Sequence, residues 1–125
     1  MRGNSSYKNL DIYNLSHELA VNLHKFSFCL PRHENYEIGS QLRRASKSIS
    51  ANIVEGYGRR RYKADFIKFL IYAQSSCDET IEWVTYIKDC YKELSAEAEI
   101  FLSKLNELGR KLNKFIQSVI QRHRT

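Results

Sequence analysis

The chain has 125 residues, with 20 lysines and arginines against 14 acids, for a formal charge of +6. That length suits a single domain that buries its own core without disulfides or a structural metal, and with no apolar run of about 18 residues a membrane-spanning helix is excluded. The charge is uneven: residues 1–63 carry 11 cations and 5 anions whereas residues 64–125 carry nine of each, so an anionic partner is expected to meet the N-terminal half.

The polar start, MRGNSSYKNLD, lacks the apolar core of a signal peptide, and Cys29, Cys77 and Cys90 are odd in number and far apart. Neither a disulfide framework nor a zinc knuckle is expected, and a soluble, unexported, cytoplasmic protein is the simplest reading. Apolar residues then recur at intervals of three and four, with one proline and no sustained alternation, which predicts an all-α chain. Four helices are predicted, at about 9–30, 36–56, 62–92 and 96–122. The first carries Ile12, Leu15, Leu19, Leu23, Phe26 and Leu30 and stops at Pro31, which has no amide hydrogen to continue a ladder. The second carries Ile38, Leu42, Ala45, Ile49, Asn52 and Gly56 and is expected to break at its glycines. Those glycines are read as a left-handed exit from the helix. The third runs through Phe66, Leu70, Ala73, Cys77, Thr80, Val84, Ile87 and Tyr91. Ser95 is the expected N-cap of the fourth, with Glu97 and Glu99 well placed against the helix dipole. Its stripe of Phe101, Leu105, Leu108, Leu112, Phe115 and Val119 fades into the basic tail QRHRT. Short connections favour an antiparallel, up-down-up-down four-helix bundle over residues 1–125.

Some apolar residues lie opposite these stripes: Ala51, Ile53 and Val54 on the second helix, Ile71 and Tyr72 on the third. Either the buried seam is wider than drawn or these residues form an oligomer interface. Asn52 occupies a stripe position and Glu55 lies in an apolar segment, so both are read as structural polar residues or as contacts to a partner. GYGRRR has only a superficial likeness to a phosphate-binding glycine loop, because no strand precedes it and no Gly-Lys-Ser/Thr follows. In HELAVNLH the histidines His17 and His24 stand seven apart, not four, and the Glu-x-x-His pairs of carboxylate bundles are missing, so no metal and no cofactor is expected. No nucleophile, base and acid fall into a recognisable spacing, so the protein is not expected to be an enzyme. The basic set is Arg43, Arg44 and Lys47 on the second helix, then Arg59, Arg60, Arg61 and Lys63 with Tyr57 and Tyr62 interleaved. Cations with aromatics suit phosphate contact and base stacking, although a solvated basic loop would look the same.

The stretch SQLRRASKSISANIVEGYGR is similar to the small four-helix-bundle family encoded in intervening sequences of bacterial 23S rRNA genes. Ser40 to Ala45, Ser48, Ile49, Asn52, Ile53, Glu55, Gly56, Gly58 and Arg59 sit where that family's signature has them, and Phe69, Leu70, Ala73, Ser76 and Glu79 resemble its second block. Ser50, Ser75 and Cys77 depart from it, standing where relatives commonly have proline, glycine and leucine. The resemblance implies a homopentamer and kinship with accessory proteins of diversity-generating retroelements, basic bundles that bind nucleic acid and a reverse transcriptase. The expected function is therefore a non-enzymatic homo-oligomer that binds RNA or DNA with low sequence specificity. The alternative is a protein-interaction scaffold or accessory subunit whose basic loop only solubilises it.

Overall fold

The computed structural model describes residues 6–122, so the start of the chain as far as Ser5 and the end of the basic tail lie outside the described residues. Among these residues the chain is helical and without strands: α1 is Asp11–Ser27, α2 Ile38–Gly58, α3 Lys63–Cys90 and α4 Ser95–Arg122. Short 3-10 turns precede α1 and bridge α1 to α2 and α3 to α4.

The stripe drawn on α3 is the one it buries, from Phe66 through Leu70, Ala73, Cys77, Thr80 and Val84 to Ile87. Alpha-helical spacing brings these positions to one side, and there they join Leu19, Leu23, Leu42, Ile49, Leu105, Leu108 and Leu112 in one cluster drawn from all four helices. Buried hydroxyls do not interrupt it. Ser16, Ser27 and Thr80 donate to carbonyls of their own helix at 2.9, 2.7 and 2.7 Å, so each is satisfied without reaching across the core. Consecutive helices meet through identifiable pairs. Ser27 meets Arg43 between α1 and α2, Ser76 meets Ser48 between α3 and α2, and Cys77 meets the Leu105 carbonyl between α3 and α4.

Several boundaries and faces differ from the sequence reading. Helix α1 ends at Ser27 rather than near residue 30, because Phe28, Cys29 and Leu30 donate to carbonyls only three residues back and tighten the chain before Pro31. Ser95 is the first residue of α4 with helical dihedrals, not a cap outside it. The glycines of α2 do not form a left-handed exit: the helix continues to Gly58, and no described glycine has positive φ. Gly56 serves close approach instead, since a β-carbon there would lie 3.1 Å from the Phe69 Cβ and 3.4 Å from the Phe66 carbonyl. Most consequentially, Ile53 does not belong to the outer face. It is fully buried, and Asn52 is half-buried beside it, because the stripe steps four residues from Ile49 to Ile53 rather than three to Asn52.

Candidate nucleic-acid interface

The seven cations singled out by sequence fall into three physical states. Arg43 is structural. Its guanidinium donates to the Ser27 hydroxyl and to the Asn35 carbonyl, both at 2.8 Å, and lies 4.5 Å over the Phe28 ring. It thus ties the α1–α2 connection to both helices. Gly39 belongs to the same device: a β-carbon there would come 2.9 Å from the Glu34 carbonyl and 3.1 Å from the guanidinium. Displacing Arg43 onto a phosphate would give up two hydrogen bonds made by a charged group, about 1.5–3 kcal/mol each, so it is not available as a ligand.

A second group is engaged but weakly. Arg59 pairs with Glu55 at 2.9 Å and approaches Asp65 at 3.7 Å, all three being solvent-accessible, while its guanidinium lies 5.0 Å from the Phe69 ring centre. Exposed i,i+4 pairs of this kind contribute about 0.3–0.5 kcal/mol, so a phosphate displaces them at little cost. Glu55 is therefore an exposed partner of Arg59 and not a buried polar group. Arg60 donates to the Tyr57 carbonyl at 2.8 Å and lies 4.1 Å over that residue's ring. Lys63 donates to the Ile120 carbonyl at 2.7 Å, where the last carbonyls of α4 carry the negative end of the helix dipole. Lys47 donates to Nδ1 of His24 at 2.9 Å. The third group is Arg44 and Arg61. Both are exposed, and among the described residues neither makes a hydrogen bond or ion pair.

The fold places Arg59, Arg60, Arg61, Tyr62 and Lys63 together because α2 ends in successive tight turns. The amides of Arg59, Arg60 and Tyr62 donate to carbonyls three residues back, and α3 begins at once. Tyr62 stands 60 % exposed at this turn. Arg122 from the end of α4 joins Tyr57, Arg60, Phe66 and Phe115 around a hollow of about 290 Å3. Sequence marked Arg122 only as part of the basic tail, since only folding brings the end of α4 to the α2–α3 turn. Arg44 lies 15 residues before Arg59 on α2, which at 1.5 Å per residue is about 22 Å along the axis. The basic surface is therefore extended, with one end on the α2–α3 turn.

The polar and apolar residues between these ends divide as well. Asn52 donates to the Ser48 carbonyl at 2.8 Å and to its hydroxyl at 3.2 Å, and Ser76 donates to the same hydroxyl at 3.1 Å, so Asn52 orients a serine pair that fastens α2 to α3. Ala51 is exposed, Val54 partly so, and Ile71 and Tyr72 are 48 % and 47 % exposed. A row that sequence reading did not connect, although it named Phe69, Tyr72, Ser76 and Glu79 separately, runs along α3: Phe69, Tyr72, Ser76, Glu79, Trp83 and Tyr86 step by three and four residues outside the buried stripe. Phe69 meets Tyr72 edge-on at 5.5 Å, and Trp83 lies 5.8 Å from Tyr86. The spacing was legible, but each member immediately precedes a residue of the more apolar buried stripe, about 100° away around the helix, and that stripe is the stronger periodic signal.

Cys77 offers no nucleophile. Burial, with Asp78 nearby, pushes its thiol up to about 12, and it points at the Leu105 carbonyl at 3.5 Å. Among the described residues no group of three His, Cys, Asp or Glu side chains converges as a metal site, and no helix is long and apolar enough to cross a membrane.

The family model described as 23S rRNA-intervening sequence protein matches residues 8–114. Among solved structures, a protein of unknown function from the S23 ribosomal protein family of Bacteroides thetaiotaomicron superposes with a TM-score of 0.76 at 24 % identity, over 85 % of this chain and 95 % of that one. At that identity the likeness is one of fold. Comparison with curated proteins gives no match.

Proposed function

The chain belongs to the 23S rRNA-intervening sequence protein family, and from that premise we propose a non-enzymatic, self-assembling basic bundle that holds RNA by its phosphates with little regard to sequence. The observation that carries this reading is the state of the cations: Arg44 and Arg61 are exposed and unengaged among the described residues, and Arg59 is held only by solvent-exposed carboxylates. Such groups release counterions when they meet phosphate and lose little else. The family's name, which ties it to an intervening sequence of ribosomal RNA, supports RNA over DNA. A cytoplasmic setting fits three free cysteines.

An antiparallel, up-down-up-down arrangement is part of this proposal. It is supported by pairs whose numbers run in opposite senses: Phe66 with Phe115 and Lys88 with Glu99 between α3 and α4, Phe26 with Phe101 and Asp11 with Lys111 between α1 and α4. The assembly proposed is the homopentamer that the family resemblance implies, using the exposed side chains of Ala51, Val54, Ile71 and Tyr72. Repeating the basic turn about an axis multiplies phosphate contacts without adding sequence readout.

The direct test is RNA binding across a salt series by the unaltered protein and by an Arg44→Ala/Arg61→Ala variant. The variant is expected to bind more weakly and with a flatter salt dependence, and equal binding by both proteins would refute the assignment. A second reading, an accessory subunit that meets a protein such as a reverse transcriptase, draws on the aromatic row of α3, which resembles a protein contact more than a phosphate contact. Capture of a protein partner that survives nuclease treatment and is lost in Tyr72→Ala/Tyr86→Ala would favour it.

A further inference from the structure

Between α1 and α2 lies a cleft of about 390 Å3 lined by the apolar Ala20 and Val21, by Ser50, and by His17, His24, Lys25 and Lys47. Every ionisable group lining it is basic. The Lys47 ammonium, which has no acceptor capacity, donates to Nδ1 of His24, so that imidazole is neutral and carries its hydrogen on Nε2. Behind it, Phe28 packs edge-on against the His24 ring at 5.3 Å and carries the Arg43 guanidinium on its face. Two lysines, two imidazoles and a nearby arginine are thus drawn together, and the closest partner available to Lys47 is a neutral ring.

We infer that this cleft binds a nucleotide phosphate, with the phosphate between Lys25, Lys47 and the His24 imidazole and the sugar or base over Ala20 and Val21. The chemistry fits on both counts. The two lysines supply positive charge and donors, and Ala20 and Val21 supply the apolar contact that a nucleoside face requires. Partial burial first, and then the charges of Lys47 and Arg43, hold His24 below its usual value. An incoming phosphate reverses that balance. Lys47 turns to a phosphate oxygen, Nδ1 takes a proton from solvent, and both groups then donate to the anion. The phosphate reaches the cleft from a free nucleotide or from a strand lying along α2; in the second case the inference rests on the RNA reading.

The test follows the His24 imidazole by NMR through a pH titration of the full chain. It is run alone, with a nucleoside 5′-monophosphate, with a short single-stranded RNA, and with inorganic phosphate at equal concentration. The groups facing His24 are His17 and Lys25 on its own helix and Arg43 and Lys47 on α2, and the exposed His33 serves as internal control. With either organic phosphate the midpoint of His24 is expected to rise by at least about one pH unit, corresponding to about tenfold tighter binding by the protonated form. His33 should not follow, and Lys47→Gln should abolish the response. A response to the mononucleotide identifies a small-molecule site, and a response to RNA alone identifies a strand. An unmoved His24, or one that moves equally with inorganic phosphate or together with His33, overturns the inference. RNA binding with His24 unmoved removes this site and leaves the basic interface standing, whereas a mononucleotide response without RNA binding does the reverse.

Discussion

Two glycines two residues apart illustrate how differently the same residue is used. The β-carbon of Phe69, attached to backbone, lies 3.1 Å from where a Gly56 side chain would start, and it cannot swing aside. Gly56→Ala is therefore expected to destabilise by about 1–3 kcal/mol, as overpacking does. At Gly58 nothing lies within 4 Å and φ is not positive, so Gly58→Ala should stabilise by about 0.4–1 kcal/mol by restricting the unfolded chain. Denaturant midpoints of the two variants check both signs at once. Sequence could show that these glycines stand together, but a left-handed turn and a close helix contact leave the same mark on a single chain. The same limit explains Ile53 and Asn52: which of two neighbours is buried depends on whether the helix stripe steps by three or by four, and only the partner helix decides.

Elements are held in register by a few long-range polar contacts at their connections. The Tyr91 hydroxyl, between α3 and α4, donates to Glu34 in the α1–α2 connection at 2.5 Å. That hydrogen bond first, with partial burial and the nearby charge, pushes the phenol from 10.0 up to about 12. A raised value means the protonated form is favoured in the fold, so this contribution is complete below pH 10 and is lost as pH rises through about 12. Tyr91→Phe should remove that part of the alkaline sensitivity, read as unfolding midpoints that no longer diverge from wild type above pH 10. Arg43→Ala should cost about 1–3 kcal/mol by leaving the Asn35 carbonyl without its donor, with no change in the salt dependence of RNA binding. A loss of salt dependence in that variant would return Arg43 to the interface. The helix stripes were legible in sequence because periodicity carries them. The pinning role of Arg43 was not, because Ser27, Phe28 and Asn35 come from another helix and a loop.

At the scale of the whole molecule, the proposed assembly would cover the exposed apolar side chains of α2 and α3 with copies of the chain and repeat the cations around its axis. Light scattering should therefore return a multiple of 14.7 kDa at micromolar concentration, and Ile71→Asp/Tyr72→Asp should reduce it to the single-chain mass. A mass of one chain for the unaltered protein would contradict the assembly. The central claim, that exposed cations hold RNA by its phosphates, is tested most directly by anisotropy of a labelled single-stranded RNA between about 50 and 200 mM salt. The logarithm of the binding constant should fall linearly with the logarithm of salt, and Arg44→Ala/Arg61→Ala should flatten the slope by about 1.4, or about 0.7 for each phosphate contact removed per chain. A binding constant indifferent to salt, or a slope unchanged in the variant, would contradict the account.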